Sequence, residues 1–285
     1  MTLLQAILLG IVQGFTEFIP ISSTAHLVLA SRVLKLALSP EQLTSSIAVI
    51  QLGTLVAVLI YFAGDIWNIS VAFIRDHLAL LGRRKQTGPR LSHDAWLGWL
   101  VVIGSLPVAV VGLLFKKQIE GTFTKNLWVI ATMMVVIALL LAVAEAVGKK
   151  QREMKDLTIK DALAVGFAQC LALIPGSSRS GSTIMGGLFA GQVRDTAARF
   201  SFLLSIPAIA ASGLLEMKEA LHRLPHDSLH TLAVGTFVSG IVGYLSIWFL
   251  LRFLRTHTTG VFIGYRLIVG GAILILLFTN RITPL

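Results

Sequence analysis

The sequence predicts an all-α polytopic membrane protein, with six transmembrane helices and two re-entrant helix-loop-helix hairpins arranged as an inverted-topology repeat within a single domain, 1–285. Three observations carry that reading. The chain is 55% hydrophobic and 13% charged, with a mean hydropathy of +0.82, whereas soluble domains carry about 25% charged residues. Apolar stretches of about 20 residues, enough to cross a ~30 Å hydrocarbon core, recur along the whole length. Two apolar segments break near their middles, where proline is followed by hydroxyl residues, at Pro20 to His26 and at Pro175 to Thr183.

Taken in order, residues 3–36 form the first interrupted segment. Its apolar start, Leu3 to Leu9, lacks a basic leader and runs into Gln13 and Glu17, so it is expected to belong to the mature fold and not to a cleaved signal. Full spans are predicted at about 44–64, 96–115 and 126–147. The second interrupted segment covers 161–193, and three more spans are predicted at about 197–217, 229–251 and 260–279. Half of an interrupted segment is too short to cross a bilayer. Each therefore reads as re-entrant, its broken backbone satisfied by protein or by water. A single cysteine, Cys170, excludes an internal disulfide and a cysteine-based zinc site. The net charge of +10 sits in short loops between apolar runs, which points to membrane topology and away from a nucleic-acid partner.

The two interrupted segments are similar to each other. Gly10-Ile-Val-Gln13 matches Gly166-Phe-Ala-Gln169, and after a one-residue gap Pro20-Ile-Ser22-Ser23 matches Pro175-Gly-Ser177-Ser178. Repeat one then covers about 1–150 with its hairpin at 3–36, and repeat two about 158–285 with its hairpin at 161–193. An odd number of spans per repeat inverts the second relative to the first, so the two loops enter from opposite faces and meet near the midplane. Basic residues orient the whole. Fourteen lie on one side, in 65–95, in 148–160 and at Arg194, Arg199, Arg252 and Arg255, against eight on the other: Arg32, Lys35, Lys116, Lys117, Lys125, Lys218, Arg223 and Arg281. The bias puts the first set in the cytoplasm and both termini outside.

Glu17, His26, Arg179 and Arg266 fall inside the apolar segments, where an unpaired ionisable group costs about 2.5 to 3.5 kcal/mol. They are expected to pair with one another or with a ligand. A purely structural Glu17 to Arg179 ion pair is the plainer alternative, and Glu145 is a second candidate partner for Arg266. Gln13 and Glu17, four apart, share a helix face. One carboxylate and one amide can hold a hard divalent cation when substrate phosphates add further oxygens; alone, Gln13 reads as a helix–helix hydrogen bond. Ser22 reads as an N-cap, with Thr24 beside it. Ser23 and His26, three apart, have the spacing a base needs to take a proton from a hydroxyl nucleophile. In the second break, small residues free the backbone amides, Ser178, Ser180 and Thr183 add hydroxyls, and Arg179 can fork onto phosphate oxygens at the positive N-terminus of the next half-helix. This is an anion cradle without the GxxxxGK[ST] Walker loop. Gln51 and Arg266 can reach it from neighbouring spans. His222, His226 and His230 are spaced by four, but Pro225 interrupts them and an extramembrane loop is their expected home.

With both breaks in view, the chain resembles the bacterial undecaprenyl-diphosphate phosphatase family, the membrane enzymes of the bacitracin-resistance type. Gln13-Gly-Phe-Thr-Glu17-Phe-Ile-Pro20-Ile-Ser22-Ser23-Thr24-Ala-His26 is similar to the family's [E/Q]xxxE motif followed by PxSSTxH, and Pro175-Gly176-Ser177-Ser178-Arg179-Ser180-Gly181-Ser182-Thr183 to its PGxSRSGxT motif. The similarity covers essentially the full length. Gln13 stands where the family also uses glutamate, which weakens any metal site built on two carboxylates. The resemblance implies removal of the terminal phosphate from undecaprenyl diphosphate, a divalent cation (Mg2+ or Ca2+) on Glu17 with Gln13, and an active site open to the periplasmic side of the cytoplasmic membrane. It implies bacitracin as a competitor for the lipid substrate, and a homodimer is compatible with it. Glu17, Ser23, His26 and Arg179 are the catalytic candidates, with Ser23, His26 and a water all open as the nucleophile; Gln13, Ser22, Thr24, Gln51, Ser178, Ser180, Thr183 and Arg266 are the candidates for binding substrate. A different class remains open at the level of sequence, because inverted repeats with broken helices also build secondary transporters or a lipid-phosphate flippase. A hydroxyl beside a histidine favours chemistry over carriage.

Overall fold

In the computed structural model, residues 1–36, 38–81, 91–115, 126–223 and 229–284 are described. Among them the regular structure is helical: α1 Leu3–Phe18, α2 Ser23–Val33, α3 Pro40–Tyr61, α4 Ala63–Leu81, α5 His93–Leu114, α6 Leu127–Val147, α7 Ile159–Cys170, α8 Arg179–Phe189, α9 Arg194–Arg223, α10 Leu229–Leu254 and α11 Gly260–Phe278. The helix starts are written in local sequence. Thr2 and Gln5 close a capping box on α1, Ser39 and Gln42 do the same for α3 with Pro40 in its first turn, and Ser92 and Asn126 cap α5 and α6.

Among the described residues, five helices are long and apolar enough to cross a bilayer, at Gln42–Tyr61, His93–Leu114, Leu127–Val147, His230–Leu254 and Gly260–Phe278. They coincide with five of the six predicted spans, and the chain is a polytopic helical membrane protein. The remaining prediction, 197–217, falls within α9, a 30-residue helix with Pro207 inside it. The interrupted segments form α1 with α2 and α7 with α8. These helices have 16, 11, 12 and 11 residues. At ~1.5 Å per residue each falls short of a ~30 Å core.

One segment departs from the sequence reading. Residues 65–95, expected as a loop, begin with α4, which follows α3 after the single residue Phe62. Trp67, Val71, Ile74 and Leu78, spaced by three and four, form an exposed apolar stripe on it. Asp65, Arg75, Asp76 and His77 keep its mean hydropathy below that of a span, so hydropathy alone reads it as loop. Its end is tied to the start of α5 by Asp76, which accepts from the Ser92 backbone N–H at 2.7 Å. The Ser92 hydroxyl and N–H hold that carboxyl at about 2. Arg83, Arg84, Lys85, Arg90, Lys116, Lys117 and Lys125 of the charge count lie outside the described residues, as do Pro225 and His226. His222 falls in the last turn of α9 and His230 at the start of α10.

The halves pack through each other. α1 lies chiefly against α10 of the second half, and α7 against α5 of the first. The matched glycines set both approaches: a Cβ on Gly10 would stand 2.4 Å from the Gly235 carbonyl oxygen, and one on Gly166 would stand 2.3 Å from that of Gly104. Neither backbone contact survives a side chain. α6 and α11, the last helices of the two halves, pack on each other.

Candidate active site

Both breaks end on the same backbone device. Ser22 has φ +79° and Ser178 φ +66°. Each caps the helix that follows: the Ser22 hydroxyl accepts from Ala25 N–H at 3.4 Å, and that of Ser178 from Gly181 N–H at 3.2 Å. The caps pair Ser22 with Ser178, 156 positions apart, the same offset that relates Gly10 to Gly166. No gap is therefore needed. The gapped match of Ser22 to Ser177 is off by one, and Ser23 is the counterpart of Arg179. Gly176 precedes the second cap with φ +92°, and a Cβ there would lie 2.1 Å from the Ile130 carbonyl oxygen.

Arg266 fastens the two breaks together. It is fully buried and donates from Nη1 to the Pro20 carbonyl at 3.3 Å and from Nη2 to those of Gly176 and Ser177 at 2.9 and 3.1 Å. It also reaches α6, with Nε on the Met134 carbonyl at 3.1 Å and Nη2 on that of Met133 at 3.3 Å. Its donors thus face backbone oxygens in the interior instead of an open site. Glu145 is not its partner; that carboxylate takes Arg194 together with Lys150 and Thr259. A further tie runs from the Ser180 hydroxyl to the Ile19 carbonyl at 3.3 Å.

On this clasp four predicted residues converge. Glu17, 7% exposed, accepts from Arg179 Nη2 at 2.8 Å and Gln51 Nε2 at 3.2 Å on Oε1, and from Gln13 Nε2 at 2.9 Å on Oε2. The cluster joins α1, α3 and α8, so the two halves meet in one ion pair. Two buried atoms in it have no partner among the described residues, Gln13 Oε1 and Arg179 Nη1. With Arg266 beneath, the formal balance of Glu17, Arg179 and Arg266 is one positive charge, a setting that favours an anion.

His26 is arranged otherwise than its spacing suggests. Nδ1 lies 2.7 Å from the Ser22 carbonyl oxygen, the acceptor one helical turn back, and Nε2 lies 2.7 Å from the Tyr265 hydroxyl. Both ring nitrogens are thereby engaged, and the expected contact with Ser23 is not made among the described residues. Ser23 is half-buried and Thr24 exposed at the mouth of the same turn. Ser178 and Ser180 share a hydroxyl contact at 3.1 Å. Thr183 is turned inward: it is fully buried, bonded to the Arg179 carbonyl at 2.7 Å and to Ser201 at 2.5 Å. Tyr265 escapes any reading by motif or spacing; its only sequence signal is its place beside the intramembrane Arg266.

The sequence has relatives among known proteins. The profile of the family described as bacitracin resistance protein BacA matches residues 6–272. An undecaprenyl-diphosphatase of Syntrophobacter fumaroxidans is 52% identical over 99% of this chain and 100% of its own length. Proteins of the same name from Mycolicibacterium gilvum and Chlorobaculum tepidum are 46% and 45% identical over 100% of both chains. By sequence along nearly its whole length, the chain belongs to the BacA family.

Proposed function

We propose that the chain hydrolyses undecaprenyl diphosphate to undecaprenyl phosphate and inorganic phosphate, returning the lipid carrier to cell-wall synthesis. The observation that carries this reading is the Glu17–Arg179 cluster, where an arginine with one nitrogen unpartnered stands at the meeting point of two half-helix N-termini. The first amides of α2 and α8 have no partner within their helices, and such termini attract phosphate. Arg179 and these amides hold the diphosphate, with Ser178 and Ser180 lining the cradle and Gln51 steadying Glu17. Phosphoryl transfer asks chiefly for positioning and charge neutralisation.

Ser23 is the proposed nucleophile. Its oxygen attacks the terminal phosphorus as the bond to the bridging oxygen breaks, undecaprenyl phosphate leaves, and the hydroxyl proton passes to His26 Nε2, which must first give up its contact with Tyr265. Water then cleaves the phosphoserine and releases inorganic phosphate. Glu17 with Gln13 Oε1, which has no partner among the described residues, would hold a divalent cation, Mg2+ or Ca2+, that neutralises charge on the diphosphate. We assign α3, α5, α6, α9, α10 and α11 as six spans and the α1–α2 and α7–α8 pairs as re-entrant hairpins in an inverted repeat. The site then opens to the periplasmic side of the cytoplasmic membrane, with both termini outside. Bacitracin, by sequestering the substrate, competes with the enzyme. Phosphate release by the purified protein from a polyprenyl diphosphate, beside Ser23→Ala, His26→Ala and Arg179→Ala, tests the reading. Absence of release from the unmodified protein would favour a carrier, and absence of phosphoserine at Ser23 in trapped enzyme would remove the covalent step.

A further inference from the structure

We infer that Tyr265 is a positioning residue of this site, its hydroxyl and ring holding His26 in the tautomer that leaves Nε2 as the unprotonated, basic nitrogen. The inference rests on the phosphatase reading and adds a residue to it. A carbonyl oxygen only accepts, so the 2.7 Å contact between Nδ1 and the Ser22 carbonyl requires the proton on Nδ1. In the neutral ring Nε2 then carries the lone pair, and the Tyr265 hydroxyl at 2.7 Å donates to it. The rings stack with centroids 5.6 Å apart and planes 15° from parallel, which fixes the imidazole plane as well as its tautomer. Tyr265 is itself immobilised from behind, because the next residue, Arg266, is locked to the carbonyls of both breaks. Consecutive helix positions point about 100° apart, so one turn of α11 sends Arg266 into the core and leaves Tyr265, 40% exposed, against His26. A hydroxyl there can turn from Nε2 to a phosphate oxygen, uncovering the base when substrate arrives.

The test uses the full-length protein in detergent, with phosphate release from a polyprenyl diphosphate and, separately, the rate at which diethyl pyrocarbonate modifies His26, followed by peptide mass spectrometry. Tyr265→Phe keeps the ring and loses the hydroxyl. It is expected to lower kcat about tenfold with KM changed less than about twofold, to leave thermal unfolding unaltered, and to speed modification of His26, whose lone pair is no longer covered. Tyr265→Leu should lose more activity, and in a His26→Ala background Tyr265→Phe should cost nothing further. An unchanged modification rate, a change in KM alone, or an equal cost in the His26→Ala background would overturn the role. Failure of the unmodified protein to release phosphate, with the modification rate still raised by Tyr265→Phe, would reject the phosphatase reading while leaving the tyrosine–histidine contact standing.

Discussion

The two breaks share a backbone and divide the chemistry. At the common offset of 156, Gln13 corresponds to Gln169, Glu17 to Leu173, Ser22 to Ser178, Ser23 to Arg179, Thr24 to Ser180 and His26 to Ser182. The caps and the small hydroxyl after them are kept. The first break carries Glu17, Ser23 and His26, the last two the proposed nucleophile and base; the second carries Arg179. Gln13 bonds Glu17, whereas Gln169, equally buried, has both amide atoms unpartnered among the described residues, as expected where the neighbouring carboxylate has become leucine. Two breaks with the same capping geometry thus carry different side chains, and the proposed site needs both.

The largest effect should come from the residue unique to the second break. Arg179→Ala is expected to lower kcat/KM by about 10³-fold or more and also to destabilise, since it strands the buried Glu17, a loss of about 3 to 5 kcal/mol. Arg179→Lys keeps the charge but not the fork. A lysine variant that retained full phosphate release would show that Arg179 acts only as Glu17's counter-ion. Next in size is the contrast between counterparts: His26→Ala should reduce kcat by about 10² to 10⁴-fold, while Ser182→Ala, at a fully buried position, should stay within about twofold in the same assay. Equal losses would break the division of labour.

Arg266 bears on both breaks at once. Arg266→Leu leaves the Pro20, Gly176 and Ser177 carbonyls without their donor, and a stability loss of at least about 3 kcal/mol is expected in thermal unfolding of the detergent-solubilised protein. An intact melting transition would mean that the breaks hold without the clasp. The cation separates the copies more finely. Chelation should abolish phosphate release, and Gln13→Glu, by adding a second carboxylate, should lower the half-saturating Mg2+ concentration about tenfold. Gln169→Glu should not. A shared response would argue that Gln13 has no part in holding the ion.

Much of this was legible before any coordinates. The spans follow from apolar length, the breaks from proline and hydroxyls, and the meeting of Glu17 with Arg179 from the cost of leaving either alone in a bilayer. What escaped did so for physical reasons. α4 carries charges on three of its sides and hides a helical stripe behind them. The register that matches the two breaks turns on Ser177 and Ser178, identical neighbours that only φ and the cap bond tell apart. Arg266 finds backbone carbonyls, which leave no mark in a sequence. The partner of His26 lies 239 residues away, while helix geometry offers Nδ1 the Ser22 carbonyl in preference to the hydroxyl three residues back.

The smallest and most symmetrical prediction concerns the caps themselves. Both serines hold a positive φ that costs a side-chain-bearing residue about 1 to 3 kcal/mol, and each satisfies an N–H that its helix cannot. Alanine keeps the strain and loses the bond, so Ser22→Ala and Ser178→Ala should each cost about 1 kcal/mol. Glycine loses the bond but relieves the strain, so both glycine variants should lie within a few tenths of the parent. Thermal unfolding of the four single variants reads this directly. Matching pairs would establish the caps as one device used twice. If Ser22→Ala were tolerated and Ser178→Ala were not, the extra contact of Ser178 with Ser180 would be carrying the second break, and the equivalence of the two turns would stop at their backbone angles.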